Sequence, residues 1–304
     1  MINIISSCTS SKKYLPSDLL KLANIDDNLL LEDASELWIK NININESPQY
    51  KASQLYKGGV WKVTLDIKDI LSTKLKTDLY IASAGYGLIH SDKKIYSYDC
   101  TFSSGDSNSI SKFNNPQDDP SNILWWDNIN TFASDSFPLD SYFFIILPHD
   151  YLVASQNFIQ EIIYRYDKKV FIFTANQKPI PNFMEQHVIK FDSRFNSFQT
   201  GVMINILQRA VFWLSKEIVM KNIPLVHKDL QTHIDMKLTQ YKAFTMPVRK
   251  QLTDEEIYKK IRLMILYNNI SSATQGLKYF RQLGFACEQK RFGKLFSEVK
   301  SELR

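Results

Sequence analysis

The sequence predicts an α/β fold, an open and mostly parallel central sheet flanked by helices, followed by a small C-terminal helical domain of helix-turn-helix character. Three observations carry that prediction. Over residues 1–215 short apolar runs alternate with helix-length amphipathic stretches, and each run ends in polar or glycine-containing sequence, as parallel strands do. Residues 253–304 hold two capping-box sequences and a glycine turn. Hydrophobic residues make up 44% of the 304, enough to pack a core and too many for global disorder.

The strands are expected at 2–6, 79–83, 142–147 and 169–174, each a short apolar run bounded by turn-forming residues. Helical patterns fall at 50–56, 60–75 and 154–166. A long amphipathic helix is expected over 204–219, where apolar residues recur at three- and four-residue spacing. Residues 103–122, rich in Ser, Asn, Asp and Pro, read as a surface loop before Trp125 and Trp126. Residues 221–252 read as an irregular connector interrupted by Pro224 and Pro247. Thr253–Glu256 and Ser272–Gln275 then open two helices. A turn at Gly284 leads into a third, whose stripe of Phe292, Leu295, Phe296 and Val299 should be buried. The domains expected are therefore 1–220, 221–252 and 253–304.

Charge divides along the same line. From Lys242 onward there are 13 Lys and Arg against 6 Asp and Glu, which leaves 24 against 26 in the rest of the chain. A near-neutral body with a basic tail points to a polyanion, most simply nucleic acid. In a helix-turn-helix reading, Lys278, Arg281, Gln289, Lys290 and Arg291 lie where a groove would be met; a structural three-helix bundle is the alternative. Three scattered cysteines suit neither a disulfide framework nor a zinc cluster and imply a reducing, cytoplasmic setting. The N-terminus lacks the order of a signal peptide, and the longest apolar run, 142–148, is far short of a membrane span. No metal or nucleotide-triphosphate motif is present, so no cofactor and no metal site is expected.

Chemistry is expected where strands end, because open α/β sheets bind ligands at their carboxyl edge. After the first strand comes a hydroxyl-rich loop from Ser7 and Cys8 to Lys12, suited to a phosphate or a sugar hydroxyl. After the second come Gly85, Tyr86 and Gly87, two of only nine glycines flanking one tyrosine; the alternative is an ordinary βα turn with a buried tyrosine. Asp99 follows Tyr98, either as a general base or electrostatic stabiliser or as a turn cap. His149 ends the third run, placed either to assist a leaving group or simply at the surface. Phe102, with Tyr86, Trp125 and Trp126, could stack on a base drawn out of a helix, although most such aromatics are core.

The order Ser7-Cys8…Lys12, then Ala52-Ser53-Gln54-Leu55-Tyr56-Lys57-Gly58, then Ser83-Ala84-Gly85-Tyr86-Gly87-Leu88 and Tyr98-Asp99 resembles a bacterial and phage family. Its members carry a compact α/β domain similar to the uracil-DNA glycosylase superfamily and to accessory domains of archaeosine tRNA-guanine transglycosylases. Within it the chain most resembles anti-phage DNA glycosylases that excise modified bases such as glucosylated hydroxymethylcytosine. The resemblance spans residues 1–215 and implies that Ser7, Cys8, Lys12, Tyr86, Gly87 and Asp99 form the site. It lacks the water-activating and histidine motifs of uracil glycosylases. What it implies is a monofunctional enzyme acting on modified phage DNA and leaving abasic sites, with Lys12 a phosphate ligand and no lyase step. A DNA-binding nucleotide sensor without catalysis, and a transglycosylase-like enzyme acting on RNA or nucleosides, are the alternatives.

Overall fold

Apolar runs that lose no backbone hydrogen bond by being buried become strands of one sheet, and they do so here in a computed structural model. It describes residues 1–303 apart from 116–119, 175–177, 202–204 and 246–247. β1 (Ile2–Ser7) is buried from end to end. It is followed by α1 (Leu31–Ile44), the short β2 (Gln49–Lys51) and α2 (Ala52–Leu55), and α3 (Gly59–Ser72). Next come β3 (Thr77–Ser83), β4 (Gly87–His90), β5 (Lys94–Tyr96) and α4 (Ser121–Ile129). β6 (Tyr142–Ile146) leads through α5 (His149–Ala154) and α6 (Gln156–Tyr166) to β7 (Val170–Thr174) and β8 (Val188–Lys190). α7 (Arg194–Phe198), α8 (Ile206–Lys221) and α9 (His227–Leu238) complete the first unit, Met1–Phe244.

The main sheet has the order β4-β3-β1-β6-β7-β8 and is parallel except for β3 with β4. From β1 the chain builds outward first to β3 on one side, then to β6, β7 and β8 on the other. The sheet therefore reverses direction between β1 and β6, and the loops leaving their carboxyl ends part there, which is where such sheets open a crevice. Helices flank the sheet: α3 packs with α8, and α4 with α1, α5 and α6. Phe143, Phe144, Phe171 and Phe173, all fully buried, form the centre of the core.

Several expectations needed correction. Residues 50–56 are not one helix: 49–51 pair with β5, and only α2 is helical. The helix expected over 154–166 divides at Ser155 into α5 and α6. The connector at 221–252 contains α9, which buries Leu230, Ile234 and Leu238 against the main core; the Pro247 position lies outside the described residues, as do 116–119 of the loop and residue 204. The Gly85–Gly87 segment is not a βα turn but a β-hairpin turn, in which Ser83 pairs with Gly87. Gly87 has φ +64, the left-handed position that closes a three-residue hairpin loop.

The second unit, Thr245–Arg304, has its own core of Ile257, Ile261, Phe280 and Phe292. β9 (Lys250–Gln251) pairs in parallel with β10 (Phe285–Ala286), around α10 (Asp254–Asn268), α11 (Ala273–Gln282) and α12 (Gln289–Glu302). Thr253 and Glu256 form a complete capping box at α10. Ser272 caps α11, while Gln275 reaches the Ser271 amide instead of closing the box on Ser272. Among the described residues no helix is long and apolar enough to cross a membrane.

Candidate active site

The loop after β1 carries the chain from the sheet to Lys12. Cys8 is anchored by its amide to the Ala82 carbonyl at 2.9 Å, extending the β1–β3 ladder one residue beyond Ser7. Its sulfur lies 3.1 Å from the hydroxyl of Tyr151, which stands on α5 immediately after β6. That contact bridges the two parting loops, so Cys8 and Tyr151 mark the switch point of the sheet. The Lys12 backbone bridges to Tyr56, and its long side chain turns inward until only 5% of it is exposed.

There the ammonium sits 3.9 Å from Asp99 Oδ1 and 4.1 Å from the centre of the Tyr98 ring. Asp99 is held by backbone bonds to Leu20 and Leu22, while its carboxylate remains 40% exposed. The pair is thus asymmetric. Its cation is buried, its anion reaches solvent, and the ring face supplies the cation's second partner. Burial pushes the Lys12 ammonium below its usual value, against the pull of Cys8, Asp99 and Cys100. Asp99 is therefore no simple turn cap.

Hydroxyl groups line the base of this cluster. The Tyr98 hydroxyl lies 2.7 Å from Ser83 Oγ and 3.0 Å from the Tyr56 hydroxyl. Burial raises the pKa values of Tyr56, Tyr98 and Tyr151 well above the ordinary phenol range, with nearby Cys8 acting in the same direction, so all three are hydrogen-bond donors at neutral pH. The Gly85 turn presses against this wall. A Cβ at Gly85 would lie 2.7 Å from the Tyr98 ring, and the Gly85 carbonyl accepts from the Trp38 indole at 2.8 Å. The neighbouring Ala84 carbonyl accepts from Trp125 Nε1 at 2.8 Å and from the Cys100 thiol at 3.3 Å. Gly87 is fixed from the other side, since a Cβ there would strike the Asn130 backbone at 2.6 Å.

Of the residues expected at the site, Cys8, Lys12, Gly85 and Asp99 meet around Tyr98, and Tyr86 packs edge-on against the same ring at 5.2 Å. Ser7 is buried as the last residue of β1. Phe102 is buried edge-on to Tyr151 at 5.0 Å, so it backs the cluster rather than offering a face for stacking. Trp125 and Trp126 are fully buried as well. His149 opens α5 but turns its ring nitrogens to the Pro179 carbonyl at 2.9 Å and to Asp150 at 3.4 Å, away from Asp99. Sequence reasoning missed Tyr56, Tyr98 as the hub, Tyr151 and Ser83. Tyr56, Tyr98 and Ser83 stand inside the very motifs that point to the site, and Tyr151 follows His149 by two residues. Among the described residues no group of three or more His, Cys, Asp or Glu side chains could hold a metal.

In the second unit the basic residues are less free than their number implies. Arg291 bonds Asp254 and the Leu252 carbonyl, tying α12 to the start of α10. Arg281 bonds the Cys287 carbonyl at 3.1 Å. Glu288 caps α12 by accepting from the Lys290 and Arg291 amides, so a carboxylate already fills the position a phosphate would take at that helix end. Lys278, Gln289 and Lys290 remain exposed at the surface. Comparison with protein-family models, with curated proteins and with solved structures finds no match for the chain.

Proposed function

We propose that the protein is a monofunctional N-glycosidase that removes a modified base, such as a glucosylated hydroxymethyl-pyrimidine, from phage DNA and leaves an abasic site as an antiviral defence. The observation that carries this reading is the buried Lys12 ammonium beside a solvent-reaching Asp99 carboxylate at the switch point of the sheet. The motif resemblance and the basic second unit are consistent with it.

Glycosidic cleavage creates positive charge on the sugar and negative charge on the departing base. Asp99 is the one carboxylate of the cluster and faces outward, so it stabilises the oxocarbenium ion or orients the attacking water. Lys12 acts on Asp99. At 3.9 Å the ammonium holds the carboxylate by charge and so fixes its direction. With only 5% of its side chain exposed, Lys12 suits a positioning role better than the phosphate contact first expected for it. Tyr151, protonated at neutral pH and standing beside Cys8, joins His149 as a proposed donor to the leaving base. Cys8 shapes the same wall.

The test incubates purified protein with unmodified, hydroxymethylated and glucosylated DNA, then assays abasic sites and released base. Abasic sites confined to a modified DNA support the reading. Intact DNA in all three, with DNA still bound, replaces the enzyme by a nucleotide-sensing regulator.

A further inference from the structure

A second feature of the first unit lies on the opposite edge of the sheet. A cleft of about 580 Å³ opens where β6, β7 and β8 begin, at their amino ends, and is closed by the start of α9. The strands are parallel to β1, so a full strand length separates this cleft from the cluster at the carboxyl ends, roughly 15 Å at about 3.3 Å per residue.

The cleft is built for an anion. Lys168, Lys169 and Lys228 line it against one carboxylate, Asp167. Lys169 is occupied by the Leu139 carbonyl at 3.0 Å, whereas Lys168 and Lys228 are exposed. α9 begins there after Val226 without a side-chain cap, even though Asp229 stands in its first turn. The amides of His227, Lys228 and Asp229 have no acceptor within the helix, and the helix dipole adds partial positive charge at this end.

An independent sign of a missing partner comes from His187. It forms part of the wall, is only 2% exposed, and its Nδ1 makes no hydrogen bond. Burial and the neighbouring His227 lower the basicity of its ring, while the Val170 backbone beside it raises it. His227, stacked on Phe171 at 4.4 Å, donates from Nε2 to the His187 carbonyl at 3.2 Å. Tyr142 and Leu225 give the remaining wall an apolar character. The volume falls within the range of about 300–1,000 Å³ usual for small-ligand sites.

We propose that this cleft binds an organic phosphate of mononucleotide size, its phosphoryl group held by the first turn of α9 with Lys168 and Lys228 and its body resting on Tyr142 and Leu225. A free nucleotide and the phosphorylated end of a nucleic acid share that chemistry. The site is independent of the base-removal reading, because none of its residues belongs to the Lys12–Asp99 cluster.

The test titrates the full chain by calorimetry with inorganic phosphate, adenosine 5′-monophosphate and a 5′-phosphorylated oligonucleotide beside its unphosphorylated twin. The same titrations follow on a Lys168→Gln/Lys228→Gln double variant. Saturable uptake of the monophosphate or of the phosphorylated end only, weakened about tenfold or more in the variant, is expected, since two charge-assisted contacts are lost. Which of the two probes saturates identifies the source of the phosphate. Absence of uptake of all phosphate probes, or equal uptake by the double variant, overturns the proposal.

Discussion

Replacing Gly85 with alanine adds one methyl group at the tightest point of the candidate site. The Gly85 backbone does not require glycine's conformational freedom, so the cost is set by space alone. The new Cβ would lie 2.7 and 2.8 Å from two Tyr98 ring carbons and 3.2 Å from a Trp38 ring carbon. Comfortable carbon contacts lie at about 3.5–4.0 Å, so something must move by nearly an ångström. Neither ring can yield easily. Tyr98 is fully buried and pinned through its hydroxyl to Ser83 and Tyr56, and Trp38 is pinned to the Gly85 carbonyl itself. Overpacking of this kind costs about 1–3 kcal/mol, which for a unit of 244 residues lowers the melting temperature by roughly 2–10 °C. All five tryptophans lie before residue 245, so tryptophan fluorescence follows this unit alone. Gly105→Ala is the control. Nothing stands within 4 Å of its Cβ, so its cost of about 1–2 kcal/mol comes from the φ of +83 alone and it controls for loss of stability without a clash at Tyr98. Melting of Gly85→Ala within about 1 °C of the parent would refute the packing described for the turn. Because Tyr98 also carries the Lys12 ammonium, base release should fall with Gly85→Ala and survive Gly105→Ala.

Three further outcomes follow from the same geometry. Lys12→Met removes a buried cation whose desolvation outweighs its partners, and it leaves Asp99 with solvent around it. The variant should melt at a higher temperature while losing activity, the opposite pairing from a structural lysine. Its folded-state pKa lies below the unfolded value of 10.5, so the advantage is largest at low pH and shrinks as pH rises toward that value. His187 and His227 have pKa values lowered by burial from 6.5, so the stability of their neutral forms is present above pH 6.5 and lost as pH falls through their folded-state values. Melting curves from pH 8 to pH 5 should show a loss that a His187→Gln/His227→Gln variant reduces. Thr253→Ala breaks the capping box of α10 and should destabilise the isolated fragment 245–304, which has its own core, by about 1 kcal/mol in thermal melts followed by circular dichroism; an unchanged melt contradicts the capping role.

The sequence made the central strands legible because β1, β6 and β7 are buried on both faces over nearly their whole length and β3 over its last three residues, so each carries a short mainly apolar run. What it hid was structure whose buried face is small or polar. α1 buries Ser35 and Asn41 beside Trp38, which breaks the apolar period. α9 buries only Leu230, Ile234 and Leu238 among charged residues, and Pro224 before it reads as the end of order. β8 has three residues, too few to show any alternation. The site was partly legible for a different reason. Lys12, Gly85 and Asp99 stand in the polar and glycine-containing segments that follow the apolar runs, where open α/β sheets bind ligands. The hydroxyl wall of Tyr56, Tyr98 and the half-buried Tyr151 could not be told from packing tyrosines, because only the partners of their hydroxyls, Ser83, one another and the Cys8 sulfur, reveal it. The chain position of His149 at the carboxyl edge was legible, whereas the bond from its ring to Pro179 was not. Net charge alone also does not show that Arg281 and Arg291 are bonded within the unit.

The most direct test of the Lys12–Asp99 centre is single-turnover base release from a duplex carrying glucosylated hydroxymethylcytosine, by the parent and by Asp99→Asn. Asparagine keeps the shape of a side chain that is 40% exposed and removes only its charge. DNA affinity should therefore be unchanged and the melting temperature lowered, because the buried Lys12 ammonium loses its carboxylate partner, while the rate of base release falls about a hundredfold or more, as the loss of one preorganised electrostatic contact does. Release by Asp99→Asn at the parental rate would contradict the assignment of this pair as the catalytic centre.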